Sequence, residues 1–167
     1  MRRWLFLILL GAAGAFVVRH FLFEGIYLAS DSMAPTLPTG RHIFANKFAY
    51  LTGGPRRGDV IMFDAPYDPE KGLVKRVVAV AGDTVEIRNK HVIVNGQELV
   101  EPYVQYLRPD DILVGDNHPQ VTVPAGDVFV LGDNRDVSKD SRDWKNAAGE
   151  WSPFVPVSHI RGRVMAG

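Results

Sequence analysis

The chain has 167 residues, of which 46% are hydrophobic and 23% charged, so one domain with its own core is expected and extensive disorder is excluded. Its formal net charge is zero, but three arginines near the N-terminus leave the rest of the chain slightly acidic. A slightly acidic body argues against nucleic acid as a partner, because phosphate binding needs a basic face. The absence of cysteine excludes disulfides, thiolate catalysis and cysteine metal sites.

Residues 1–23 are predicted to form a membrane anchor. Trp4–Val18 is uncharged and mostly apolar, and Arg2-Arg3 precedes it. Basic residues before an apolar segment favour a cytoplasmic N-terminus, which would place residues 24–167 on the outer side of the membrane. These two ranges are the predicted domains of the chain.

A cleaved signal peptide is the alternative interpretation of the same stretch. Ala13-Gly14-Ala15 matches the small residues that precede a cleavage site, and Trp4–Ala12 is long enough for the apolar region of such a peptide. The apolar run continues beyond Ala15, and this continuation favours the retained anchor.

After residue 23 the sequence changes to short apolar runs separated by turn residues. Asn95-Gly96 is a strong hairpin signal, and residues 145–156 are predicted to form a loop. Strands are predicted at Ile43–Tyr50, Asp59–Phe63, Val74–Ala81, Thr84–Arg88, His91–Val94, Val121–Val123 and Val128–Leu131. Many short strands at close spacing indicate an all-β sandwich or barrel-like domain.

Ser32 is a candidate nucleophile. It lies in the block SDSMAPTL, where Pro35 and small neighbours suit a tight, exposed turn. A serine is a weak nucleophile until a base takes its proton, so a partner is required. The alternative is that Ser30 or Ser32 only caps a short helix beginning near Met33.

Lys75 is a candidate for that base. In a regular strand it shares a face with apolar residues only, namely Leu73, Val77, Ala79 and Ala81. Desolvation on such a face lowers the pKa of a lysine, so its neutral amine can accept a proton near pH 7. The alternative is a lysine at the strand entrance that extends its amine into water.

The segment Gly132–Arg142 carries acidic and basic residues in balance. A calcium loop is disfavoured because Arg135 and Val137 stand where ligands are needed. Internal ion pairs around a shaped turn fit the pattern, with a solvated hairpin tip as the alternative, and Ser138 is then available to hydrogen-bond a buried amine. The five histidines show no ligand spacing, so neither a metal nor a cofactor is expected.

Four blocks in order resemble bacterial type I signal peptidases: SDSMAPTL, RGDVIMF, LVKRVVAVAGDTV and VFVLGDNRDVSKDSRDW. The resemblance implies a membrane-bound serine endopeptidase that removes signal peptides from exported preproteins after small residues, typically Ala-x-Ala. It implies a mainly β fold, with a single N-terminal transmembrane helix followed by an all-β catalytic domain of short, coiled antiparallel sheets. That domain would face the outer, periplasmic side of the bacterial inner membrane, with preprotein signal peptides and the lipid bilayer as partners.

The resemblance also implies roles for individual residues. Ser32 matches the nucleophile and Lys75 the general base. Ser30 matches a serine whose hydroxyl helps the Ser32 backbone N–H to stabilise the oxyanion. The residues expected to line the substrate groove are Met33, Leu73 and Val74.

Three further residues match a supporting group. Ser138 matches the serine that orients the lysine, and Asp140 and Arg142 match an ion pair beside it. Two alternatives remain for the chain as a whole. One is a specialised Ser-Lys maturation protease of the pilin or conjugation type, and the other is a non-catalytic, membrane-anchored domain that binds peptides.

Overall fold

The computed structural model describes residues 2–146 and 148–165. One α-helix, α1 (Arg2–Leu22), precedes a β-rich domain with two short 3₁₀-helices, Asp31–Met33 and Val157–His159. The strands are β1 (Phe23–Tyr27), β2 (His42–Asn46), β3 (Val60–Ala65), β4 (Asp68–Val80), β5 (Thr84–Arg88), β6 (His91–Val94), β7 (Gln97–Glu98), β8 (His118–Thr122), β9 (Asp127–Leu131), β10 (Phe154–Pro156) and β11 (Ile160–Met165).

Helix α1 ends at Leu22, and β1 begins with the next residue. The large apolar side chains from Trp4 to Leu10 are between 55% and 71% exposed. In the part of the chain that the structure describes, no helix is both long enough and apolar enough to cross a membrane.

Two antiparallel sheets form the domain, which confirms the mainly β prediction. The larger has the strand order β1-β2-β11-β3-β4-β9-β10, and the smaller has the order β7-β6-β5-β8. One core cluster joins them, because Val78 and Phe129 of the large sheet pack with Val85 and Val92 of the small one. The chain therefore folds the small sheet against β4 and β9, towards the β10 edge of the large sheet.

Local turn chemistry explains why some strands are predicted accurately. β5 and β6 have the predicted bounds, and the two residues between them, Asn89 and Lys90, adopt positive φ values of 49° and 73°. Asn95-Gly96 then turns the chain into β7 with φ values of 52° and 76°, as this dipeptide favours in hairpins. β2 ends at Asn46 rather than Tyr50, because the Asn46 side chain accepts a hydrogen bond from the Phe48 N–H and begins a turn.

Four strands were not predicted, namely β1, β7, β10 and β11. β10 lies within residues 145–156, so the loop prediction is wrong for Phe154–Pro156. It forms an edge of the large sheet, where proline is tolerated because half of the backbone groups need no ladder partner. β11 instead pairs between β2 and β3, a position that depends on distant parts of the chain.

β4 departs from the regular alternation that the sequence suggested. Its pairing with β9 shifts register between Val77 and Ala79, which marks a bulge. Val78 and Ala79 consequently both pack in the cluster between the sheets, whereas Val77 packs in a different cluster. The prediction that Ala79 shares a face with Lys75 is therefore wrong, and Ala81 lies beyond the end of the strand.

Candidate active site

The Ser32 turn is held in place by core packing. Met33 and Leu37 are buried with Val74 of β4, and the Leu37 N–H donates to the Met33 carbonyl. This contact ties the short 3₁₀-helix to the middle of the large sheet. Ser32 itself is buried, with 8% of its surface exposed.

Ser30 stands at the N-cap position of this 3₁₀-helix but does not cap it. Its side chain makes no capping hydrogen bond. The Ser30 hydroxyl instead donates to Ser32 Oγ at 3.2 Å. The helix-cap interpretation is therefore wrong for the Ser30 side chain, and two serine hydroxyls lie side by side.

Lys75 reaches Ser32 from β4, 43 residues further along the chain. The Lys75 amine donates to Ser32 Oγ at 2.7 Å, and the lysine is 3% exposed. The interpretation of Lys75 as a snorkelling residue at a strand entrance is therefore wrong. The structure brings the two candidate residues into direct contact, as a base and a nucleophile require.

The surroundings of Lys75 favour its neutral form. Burial lowers the pKa of Lys75 to about 8, against the nearby carboxylate of Asp140, which acts to raise it. The Arg142 guanidinium also lowers this pKa, because a like charge disfavours the protonated amine. An appreciable fraction of Lys75 is consequently unprotonated and able to accept a proton slightly above neutral pH.

Asp140 and Arg142 form a buried ion pair below the site. Arg142 Nε donates to Asp140 Oδ1 at 2.9 Å, and Asp140 is fully buried. The same carboxylate accepts a hydrogen bond from the Gly132 N–H at 2.9 Å, so the pair holds both ends of the loop. Burial alone would raise the pKa of Asp140, but Arg142 and these hydrogen bonds lower it below its ordinary range.

Ser138 lies at the site without the bond expected of it. Among the described residues, its buried hydroxyl oxygen has no hydrogen-bond partner, so the predicted bond to Lys75 is not formed. Ser138 packs directly over Gly132. A Cβ at position 132 would lie 2.2 Å from Ser138 Oγ and 2.5 Å from the Ser32 carbonyl oxygen. Only glycine lets these three residues meet.

A second buried ion pair at the site was not predicted from the sequence. Arg76, next to Lys75 in β4, donates to Asp133 through Nε at 2.8 Å, and the Thr36 hydroxyl donates to the same carboxylate at 2.6 Å. The Arg76 guanidinium also lies 3.9 Å above the ring centre of Tyr103. This group connects β4, the serine turn and the loop, and the only sequence signal for it is a second charged residue beside Lys75 in the apolar part of β4.

A cleft of about 360 Å³ opens above Ser32 and Lys75. The three residues predicted to line a substrate groove, Met33, Leu73 and Val74, all line it. Further lining residues that the sequence did not single out are Tyr67, Lys71, Val137 and Lys139. The arrangement presents a serine hydroxyl, hydrogen-bonded to a candidate base, at the floor of an apolar cleft large enough for a short peptide segment.

These features define a peptidase that uses a serine. The chain belongs to the signal peptidase family, peptidase S26, whose family model matches residues 1–166. It is accordingly a serine peptidase that acts in signal peptide removal.

Signal peptidases I are the particular relatives that the chain resembles. It is 38% identical over 170 aligned positions to signal peptidase I P of Bacillus subtilis subsp. natto, covering 95% of this chain and 91% of that protein. It is 36% identical over 151 positions to signal peptidase IB of Staphylococcus aureus, covering 83% and 78%. The crystal structure of a signal peptidase I from Enterococcus faecalis V583 matches 66% of this chain and 97% of that one, with 30% identity and a TM-score of 0.51.

Proposed function

We propose that this protein is a membrane-anchored signal peptidase I that cleaves exported preproteins after small residues, with Ser32 as nucleophile and Lys75 as general base. The observation that carries the proposal is the 2.7 Å contact between Lys75 Nζ and Ser32 Oγ, buried at the floor of the cleft. A histidine base is not needed, because the environment of Lys75 already brings its pKa to about 8.

The reaction proceeds in two acyl-transfer steps. Neutral Lys75 takes the Ser32 proton while Ser32 Oγ attacks the carbonyl carbon of the substrate, and the carbonyl oxygen becomes an oxyanion. The Ser30 hydroxyl and the Ser32 N–H stabilise that oxyanion. Protonated Lys75 then gives its proton to the leaving amine, and the signal peptide remains esterified to Ser32. Water, deprotonated by Lys75, attacks the ester and releases the signal peptide and the free Ser32 hydroxyl.

Four residues act as positioning residues for the Ser32–Lys75 pair. Asp140 and Arg142 hold the loop by their ion pair, and Asn134 donates from its backbone N–H to the Ser32 carbonyl at 3.1 Å. Ser138 fills the space over Gly132 beside that carbonyl. Together these contacts keep the Ser32 turn at a fixed distance from β4.

A panel of unrelated preproteins tests the substrate assignment. The wild-type protein should cleave each member after a small residue, and replacing that residue with a bulky one should stop cleavage. Lys75→Ala serves as the control for a contaminating protease. Cleavage of a single member only would establish the specialised maturation protease, and peptide binding without cleavage would establish the non-catalytic domain.

We also propose that α1 anchors the protein in the bacterial inner membrane, with the domain on the outer side. The exposed apolar residues Trp4 to Leu10 and the preceding Arg2-Arg3 support this arrangement. Protease added outside spheroplasts should digest the β domain. Without protease, the protein should be full-length and should retain its N-terminus. A mature protein beginning near Phe16 would show that the segment is a cleaved signal peptide.

The pH dependence of activity should follow the titration of Lys75. Because the pKa of Lys75 is lowered to about 8, kcat/KM should rise with pH through that value and level off above it. The measurement is kcat/KM of the wild-type protein against pH with a fixed peptide. A limb near pH 6.5, removed by replacing a histidine, would assign the base to histidine instead.

Ser30 should contribute to the rate rather than to binding. Its hydroxyl lies 3.2 Å from Ser32 Oγ, where it can rotate towards the developing oxyanion. Ser30→Ala should lower kcat by about 10²–10³ with little change in KM, the usual cost of removing one such donor. Ser30→Thr keeps a hydroxyl and should retain most of the rate. Equal activity of the two variants would contradict this role.

A further inference from the structure

The rim of the cleft carries positive charge that the proposed chemistry does not use. Lys71 and Lys139 both line the cleft and both are exposed, Lys71 from β4 and Lys139 from the loop after β9. They approach the cleft from two distant segments, so their convergence arises from the fold and not from a local run of lysines.

Neither lysine is neutralised within the part of the chain that the structure describes. Among those residues, neither side chain takes part in a salt bridge. This holds for Lys71 although Asp68 and Glu70 lie close to it in the sequence. The described residues that line the cleft include no aspartate and no glutamate.

The position of Lys71 is partly defined by an aromatic contact. Its amine lies 5.7 Å from the ring centre of Tyr67, which also lines the cleft. Lys71 lies in β4 two and four residues before Leu73 and Lys75, beside the register shift between the Gly72 and Asp68 pairings with β3. Its charge is also among those that lower the pKa of Lys75, which places it within electrostatic reach of the reacting groups.

We propose that Lys71 and Lys139 form a cationic rim that selects substrates carrying an acidic side chain within a few residues of the scissile bond, and disfavours basic ones there. The inference rests on the proposed function of the cleft and adds a preference to it. A carboxylate entering the cleft meets two cations that form no salt bridge among the described residues, and no carboxylate among the described residues that line the cleft. A basic side chain at the same place is repelled, and a charge-neutral one is unaffected.

Peptides that span a cleavage site test the rim. Each peptide has glutamine at one position near the scissile bond, and matched versions carry glutamate or lysine there, scanned across both sides. The full-length wild type should prefer glutamate to glutamine to lysine at one or more positions, with steps of about two- to fivefold in kcat/KM, the size expected of a partly exposed ion pair. The preference should weaken as salt is raised.

Variants identify the residues responsible. Lys71→Gln or Lys139→Gln should reduce the glutamate-to-lysine ratio, and the double variant should bring it close to one. Lys145→Gln is the matched control, because Lys145 is an exposed lysine that does not line the cleft. The ratio within each enzyme is the readout, so a general loss of activity does not affect the conclusion.

The possible results distinguish failure of the rim proposal from failure of the proposed function on which it rests. If the wild type cleaves none of the peptides, both proposals fail. If it cleaves all of them equally at every scanned position, the function stands and the rim is overturned. If a preference exists but survives in the double variant, other residues cause it. If the Lys71 and Lys139 variants change cleavage only when anionic lipid vesicles are present, the rim contacts the bilayer and not the substrate.

Discussion

Ser32→Ala and Lys75→Ala should each lower kcat by several orders of magnitude, and the double variant should be hardly less active than either single one. In the proposed mechanism the two residues act as one unit through the 2.7 Å contact between Nζ and Oγ, so removing either would remove the proton transfer. The measurement is single-turnover cleavage of a preprotein by purified full-length variants.

Lys75→Arg distinguishes a base from a mere positive charge. Arginine keeps the charge but does not deprotonate in proteins, so this variant should be as inactive as Lys75→Ala. Substantial activity in Lys75→Arg would show that the amine contributes only charge. Losses that multiply in the Ser32→Ala, Lys75→Ala double variant would show that the two residues act independently.

Asp140→Asn should reduce the free energy of unfolding by about 3–5 kcal/mol, because it leaves the buried Arg142 guanidinium without its counter-charge. Asp140 is fully buried and accepts hydrogen bonds from Arg142 and Gly132, while asparagine keeps the side-chain shape. Chemical denaturation of the full-length protein measures the loss, and a variant that does not fold would agree with it.

The surface pair Glu86–Arg88 provides a matched control. It has the same spacing in sequence and an N–O distance of 2.8 Å, but the side chains are 23% and 65% exposed. Glu86→Gln should therefore cost no more than about 1 kcal/mol. Similar losses in the two variants would mean that burial of the Asp140 pair adds nothing to its contribution.

The contribution of Asp140 should also disappear in acid. Since the pKa of Asp140 is lowered in the folded protein, its stabilisation is present above the unfolded value of about 3.9 and is lost as the pH falls through the folded one. The difference in unfolding free energy between wild type and Asp140→Asn should accordingly narrow at low pH.

Local signals in the sequence were sufficient to predict many strands and hairpins of the β domain. Asn89, Asn95 and Gly96 set the hairpins around β6, because positive φ values are needed there and asparagine and glycine tolerate them. The edge strand β10 escaped prediction, because Pro156 is a poor strand former and the pairing of β10 with β9 is made between distant parts of the chain.

At the candidate site too, local motifs predicted some features, and contacts between distant segments determined others. The motifs identified Ser32 and Lys75 as partners, and Asp140 and Arg142 as a pair, from residue types and order. They did not identify the Arg76–Asp133 pair, whose members lie 57 residues apart. They also suggested a Ser138 hydrogen bond to Lys75 that is not formed among the described residues.

The sequence by itself therefore determined the class of fold and the family, and it supplied the candidate catalytic residues, since strand periodicity, turn residues and reactive side chains are local properties. Only the tertiary structure decided which face of β4 each residue occupies, because one bulge after Val77 breaks the alternation. It also decided that Lys75 is buried enough for its pKa to fall to about 8, and that Lys71 and Lys139 meet at one cleft. Burial and proximity depend on pairings between distant segments, and no local pattern encodes them.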